Sequence, residues 1–288
     1  MTRRGRPGPW ERLAASPPAL AGGAIVAALV TFAVLGPLLS SHGPLDSDFA
    51  RGVAHDGLPV GPGAAFPLGA DRLFRDVLVR LACAGRLSLF IAVTASAISA
   101  ALGAAVGIVS GWHQGSSLDT ALMRGVDAML AFPFLLLVMA VGAALDRTST
   151  TTVLVTLGAT GWLGIARILR AKTMQVRAMA YVEAARALGA PTRRLMIRHV
   201  LPNVAGPLVV TGTAQVAQMI VADSALSYLG VGIAPPTPTW GRMLYEGQDY
   251  YLAAPWLVAA PGLAILLAVW GFNMLGEGLR DALDPRDA

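Results

Sequence analysis

Four histidines, one cysteine and a single lysine are spread along 288 residues, and their spacing limits the chemistry open to the chain. His42, His55, His113 and His199 lie far apart, with no HExxH pair to place two imidazoles on one helix face. Cys83 has no second thiol for a disulfide or thiolate cluster and reads as a small apolar filler. Lys172 follows Leu169-Arg170-Ala171, without the glycines that would present backbone N–H groups to nucleotide phosphates. No GxSxG elbow is present either, so the residues support no catalytic role and call for no cofactor or metal on this chain. Two features remain. Asp223 closes a long apolar run, where an acid is costly unless paired or hydrated. It reads equally as a pathway-lining or gating carboxylate and as an interfacial helix-end residue.

The second feature is Tyr181 to Asn203, a polar, strongly basic stretch between two apolar ones. Val182 to Leu188 carries good helix formers, and Gly189 stands where a C-cap glycine belongs. Pro191 suits the first turn of a second helix, because its missing N–H is unpaired there anyway. Leu201-Pro202 is expected to break that second helix before the chain turns apolar again. Ala180, Ala184, Ala187 and Leu188 share one face of the first helix, with Glu183 at its edge. Short side chains there let the helix lie close in a partner's groove.

These features need a membrane scaffold. The chain is 55% hydrophobic and 14% charged with mean hydropathy +0.60, too apolar for a water-soluble domain. An Arg- and Pro-rich tail (1–18) precedes a first span at 19–40; a polar loop covers 41–86, and 87–288 holds a five-helix core with a loop at 170–202. Within that core the apolar runs are Leu87–Trp112, Ala121–Leu145, Thr148–Ala166, Asn203–Ala222 and Tyr251–Gly276. Gly103 and Gly107 fall at the GxxxG spacing of closely packed membrane helices. Pro133 lies inside its run and is expected to kink it near the pathway, while Pro235 to Gly241 must be irregular. The fold class is therefore all-α, an integral membrane protein of six transmembrane helices.

Glu183-Ala184-Ala185, then Gly189, then Leu201-Pro202, resembles the EAA motif of bacterial ABC-importer permeases. Pro67, Leu68, Gly69, Asp71, Arg75 and Asp76 match the PLGTDxxGRD segment of the dipeptide, oligopeptide and nickel importer permeases. Phe74 stands where that family has glycine, so the turn is expected to be altered. The block around Arg124, Asp127 and Pro133, the PPTPTWG loop and the ending from Phe272 to Arg286 are similar to the same family, closest to its C-type subunit. The resemblance implies that Glu183, Ala184, Ala185, Gly189, Pro191, His199, Leu201 and Pro202 form a cytoplasmic coupling helix-turn-helix docked on an ATPase. His199 departs from the isoleucine of the broad consensus. It also implies a homologous second permease, two ATP-binding subunits that hold ATP and magnesium, and an extracytoplasmic substrate-binding protein.

Fifteen of the 22 Lys and Arg residues fall on the cytoplasmic side if both termini are inside, eight of them between Arg167 and Arg198. That pattern fits loops at a bilayer of the bacterial inner membrane rather than a nucleic-acid face. Di- and oligopeptides are the expected cargo, with nickel or another small solute as the alternative. An ATP-independent channel or secondary transporter, and an intramembrane enzyme, are the competing classes.

Overall fold

The computed structural model describes residues 8–144 and 149–283. Arg3, Arg4 and Arg6 of the tail, the expected turn at Asp146-Arg147 and the end of the family-like C-terminal segment lie outside these residues. Among the described residues the fold is helical, with only isolated bridges in place of strands. Its helices are α1 (Pro9–Ala15), α2 (Pro17–Leu35), α3 (Phe49–Gly52), α4 (Val77–Trp112), α5 (Ser117–Leu130), α6 (Phe134–Ala144) and α7 (Thr150–Thr160). There follow α8 (Leu163–Arg177), α9 (Ala180–Ala187), α10 (Thr192–Leu195), α11 (Leu201–Tyr228), α12 (Trp240–Gly247) and α13 (Trp256–Leu283). Among the described residues five segments are long and apolar enough to cross a bilayer: Pro17–Leu39, Val77–Trp112, Thr150–Arg177, Thr192–Tyr228 and Trp256–Leu283. A sixth exists if α5 and α6, bent by 95° against each other, count as one broken span.

That bend is sharper than the kink expected at Pro133. The proline has no N–H for the ladder and disfavours helix at the residue before it, so Ala131 to Pro133 leave the helix altogether. Elsewhere helices outrun the apolar segments. Helix α4 starts at Val77, ten residues before the expected second span, because its charges are satisfied from a distance. Arg80 bonds Glu246 at 3.0 Å and the Pro44 carbonyl at 3.2 Å, and Arg86 donates to the carbonyls of Ala33 (2.6 Å) and Val34 (2.7 Å). Asp76 caps the new start by accepting from Leu78 N at 2.9 Å.

Pro202 does not break its helix either. Residues Met196–Val200 form a π-turn, and Pro202 then occupies the first turn of α11, where its absent N–H is tolerated. A continuous rod therefore runs from Thr192 to Tyr228. The basic loop is correspondingly narrower than 170–202, since α8 extends to Arg177.

Helix α4 is the central post, packed on α2, α7, α8 and α11. Its contact with α8 runs along Gly103, Gly107 and Gly111, at the close spacing the sequence suggests: a Cβ on Gly107 would sit 2.5 Å from the Ala166 carbonyl oxygen. One hydrophobic cluster joins α2, α4, α11 and α13, with Trp240 at its end; a smaller one lies under α9.

The segment between Ser40 and Asp76 is a folded cap rather than an open polar loop. Asp48 N bonds Phe74 O at 3.0 Å, Ala70 N bonds Val60 O at 2.9 Å, and Trp256 Nε1 clips the Ala70 carbonyl at 3.1 Å. Phe74, which stands where the family has glycine, takes the left-handed conformation that glycine enters freely, at φ +59°. A left-handed phenylalanine costs about 1 kcal/mol. Its ring meets Phe49 edge-on at 5.3 Å, an offset of similar size. Phe74→Gly is thus expected to leave thermal stability nearly unchanged, whereas Phe49→Ala should lower it. Melting of the two purified variants checks this; a large gain in Phe74→Gly would mean that the ring contact contributes nothing.

Candidate coupling site and transmembrane groove

The basic loop is built on a small apolar base. Val182 of α9 is fully buried with Leu195, Val200 and Val204 from the following rod and Val176 from α8. Burying Val182 fixes the rotation of α9. Glu183, Ala184, Ala187 and Leu188 are consequently exposed together, with Leu188 at 89%. Ala185 turns partly inward on the base. Glu183 sits in the first turn, where its carboxylate meets the positive end of the helix dipole.

The helix ends in the motif its glycine suggests. Gly189 N bonds Arg186 O (2.9 Å) and Ala190 N bonds Ala185 O (3.1 Å), closing a Schellman pair around Gly189 at φ +83°. Pro191 stands one residue outside the next helix, as its N-cap, rather than in its first turn. No atom lies within 4 Å of a Cβ placed on Gly189, so a substitution there meets backbone strain alone. Gly189→Val is expected to cost about 2 kcal/mol and Gly189→Asn well under 1 kcal/mol, because asparagine enters this region readily. Limited proteolysis of the loop in both variants reads the difference; equal protection would deny the turn its importance.

Of the remaining coupling candidates, His199 pins the loop to the membrane rod. His199 packs its ring against Tyr181 at 5.7 Å, and Asn203 Nδ2 donates to the Tyr181 hydroxyl (3.1 Å) and the His199 carbonyl (2.7 Å). Leu201 and Pro202 are exposed on the rod just beyond. Two contacts have no signal in the sequence. Arg186 of α9 lies over the Trp112 ring at 5.1 Å, with Arg177 at 5.9 Å. Arg170 of α8 holds Asp119 bidentately (2.8 and 2.9 Å), and Ser110 of α4 donates to the same carboxylate. These link α4, α5, α8 and α9 into one block.

The two pathway candidates are not brought together. Asp223 lies inside α11, five residues short of its end, and is wholly buried among α4, α11 and α12. Ser88 Oγ donates to one oxygen at 3.4 Å; the other oxygen and Ser224 Oγ have no partner among the described residues. Ser88 Oγ also accepts from Trp240 N at 3.3 Å, and Trp240 Nε1 reaches the Leu81 carbonyl at 3.2 Å. Asp223 thus sits where the PPTPTWG loop re-enters the helices. Pro133 is exposed beside a different feature, a groove of about 630 Å³ between the α5–α6 break, the α7–α8 break, α11 and α13. Leu130, Phe134, Gln218 and Asn273 line it; Asp223 does not.

Beside the cap a buried ion cluster joins it to α12. Arg75 bonds Asp71 at 2.7 Å, Arg80 meets Asp71 at 3.1 Å and Glu246 at 3.0 Å, and Arg242 reaches Glu246 at 3.1 Å. Glu246 belongs to no motif recognised in the sequence. Its i,i+4 spacing from Arg242 is the one signal it offers there.

A family profile described as the binding-protein-dependent transport system inner membrane component matches residues 103–287. The chain belongs to this family. A second profile, the N-terminal TM domain of oligopeptide transport permease C, matches residues 9–54 of the permease. The permease is similar to the dipeptide transport system permease protein DppC of Bacillus subtilis, 37% identical over 96% of this chain and 84% of that one. The oligopeptide transport system permease protein OppC of Haemophilus influenzae is 36% identical over 76% and 70%. The di/tripeptide transport system permease protein DppC of Pseudomonas aeruginosa is 38% identical over 96% and 91%. A solved structure of the MetNI methionine ABC transporter in an inward-facing conformation shares the fold, with TM-score 0.60 at 16% identity over 71% of this chain and 97% of its own. The permease is thus a multi-pass membrane subunit of an ABC importer, a class that works with ATPase and binding-protein partners.

Proposed function

We propose that the permease forms half of a translocation path for short peptides, beside a homologous second permease and above two ATPase subunits. The carrying observation is α9, a helix fixed from beneath by Val182 while Leu188 and its alanine neighbours stay uncovered. A rigid apolar face on a basic loop suits a groove on a partner. In this reading Glu183, Ala184, Ala185 and Gly189 carry the docking, and Pro191, His199, Leu201 and Pro202 relay motion to the rod that continues as α11. ATP and magnesium belong to the ATPase subunits. Closure of that pair pulls on α9; the Trp112–Arg186 and Asp119–Arg170 contacts pass the displacement to α4 and α8 as a rigid-body shift. The concentration of Lys and Arg around this loop supports cytoplasmic termini in a bacterial inner membrane. A binding protein delivers cargo at the opposite side.

Relatives named for dipeptide, di/tripeptide and oligopeptide transport support peptide as the cargo. The assembled importer, reconstituted in vesicles with its binding protein, should take up labelled di- and tripeptides only when ATP reaches the ATPase side. Uptake of nickel but not peptide would replace the cargo, and uptake without ATP would replace the class.

A further inference from the structure

Carboxamides are few inside these spans, and two exposed ones share a groove. Gln218 on α11 and Asn273 on α13 both face the groove. Each lies within an apolar run, Gln218 four residues before Ala222 and Asn273 three before Gly276, and so on the membrane-spanning part of its helix. A carboxamide turned toward lipid loses its hydrogen bonds with nothing in return. Such a group belongs beside water, a partner or a solute. The same groove contains Gln215, whose Nε2 donates to the Gly161 carbonyl at 3.1 Å where α7 and α8 part. Thr160 borders it as well, and the remaining lining is apolar, with no carboxylate, imidazole, thiol or cation. Its volume, about 630 Å³, falls in the range that holds small ligands.

We propose that Gln218 and Asn273 are hydrogen-bonding positions of the translocation path, where they exchange bonds with the backbone amides of a short peptide in transit. Carboxamides donate and accept at once, as the peptide bond does, so they serve any sequence of side chains. Apolar walls accommodate varied side chains without holding them. A charged lining would favour one class of residue and retain it; a nickel ion would find none of the nitrogen or sulfur ligands it prefers. This inference rests on the peptide reading above.

The test uses the complete importer, with Cys83→Ser as background. Gln218→Cys and Asn273→Cys should react with a membrane-impermeant thiol reagent, and peptide-loaded binding protein should slow the reaction several-fold. Val30→Cys, on the exposed side of α2, should stay unlabelled. Gln218→Leu with Asn273→Leu should cut peptide flux per ATP about tenfold while both ATPase subunits and the second permease still co-purify. Absent labelling, or unchanged flux in the double variant of an importer that does carry peptides, overturns the inference and leaves the peptide reading standing. Loss of the second permease in the double variant also overturns it, placing these residues in a subunit contact. Labelled cysteines in an importer that moves no peptide would overturn the peptide reading itself, and the assigned ligand with it.

Discussion

Replacing Gly107 by leucine is expected to separate α4 from α8 and to deplete folded permease from the membrane. Even a single added carbon would stand 2.5 Å from the Ala166 carbonyl oxygen, 3.0 Å from Leu169 Cβ and 3.1 Å from Arg170 N. Two of these three atoms are backbone, so no rotamer change relieves the overlap. Overpacking a core usually costs about 1–3 kcal/mol, and an unyielding backbone puts this site at or above the upper end. The displacement also drags Arg170 from Asp119, taking the link between α5 and α8 with it. Gly125 offers the contrast: it is exposed, with no atom within 4 Å of where a Cβ would stand, and Gly125→Ala should be neutral or slightly stabilising. Melting of detergent-purified protein separates the two. A Gly107→Leu permease with an unchanged midpoint would refute the tight α4–α8 contact.

Arg80→Met should be nearly as damaging, by a different route. Arg80 is 1% exposed and joins Asp71 and Glu246 while donating to the Pro44 carbonyl. Removing the cation leaves two buried carboxylates with less compensation, and breaking such a pair typically costs about 3–5 kcal/mol. Arg75 and Arg242 still reach these acids, which places the expected loss near 3 kcal/mol. The effect should depend on Glu246: in a Glu246→Gln background Arg80→Met should cost clearly less. Protease sensitivity of the cap between Ser40 and Asp76, followed across the four members of this cycle, gives the coupling. Strict additivity would show that the cluster is not a unit.

Much of this arrangement is legible in the sequence. Long apolar runs mark the spans because a bilayer imposes their length, and Gly103 with Gly107 marks the α4–α8 contact because only small residues allow that approach. Gly189 announces its turn for the same local reason, a backbone angle that glycine adopts freely. What stays hidden depends on partners distant in the chain. Arg80 and Arg86 look like the end of a loop until Glu246 and the carbonyls of Ala33 and Val34 are beside them. Pro133 reads as a kink, yet the 95° bend reflects the whole exit of residues 131–133 from the helix. Pro202 reads as a breaker, but the π-turn before it absorbs the misfit. Asp223 reads equally as a pathway carboxylate and as a helix-end residue, and it lies inside α11, wholly buried beside Ser88. Gln218 and Asn273 carry no motif at all. Their signal is only that each is a carboxamide within the last turn or so of an apolar run.

In the proposed importer α9 docks on an ATPase subunit through its uncovered face. Leu188→Cys, in the Cys83→Ser background of the assembled importer, places a reactive thiol on the most exposed apolar residue of that face. A short bifunctional reagent should join it to an ATPase subunit in high yield. The added substitution Glu183→Arg should abolish both the cross-link and ATP-driven uptake while the permease stays folded. A thiol that links only to the second permease, or to nothing in a complex that still transports, would rule out this docking.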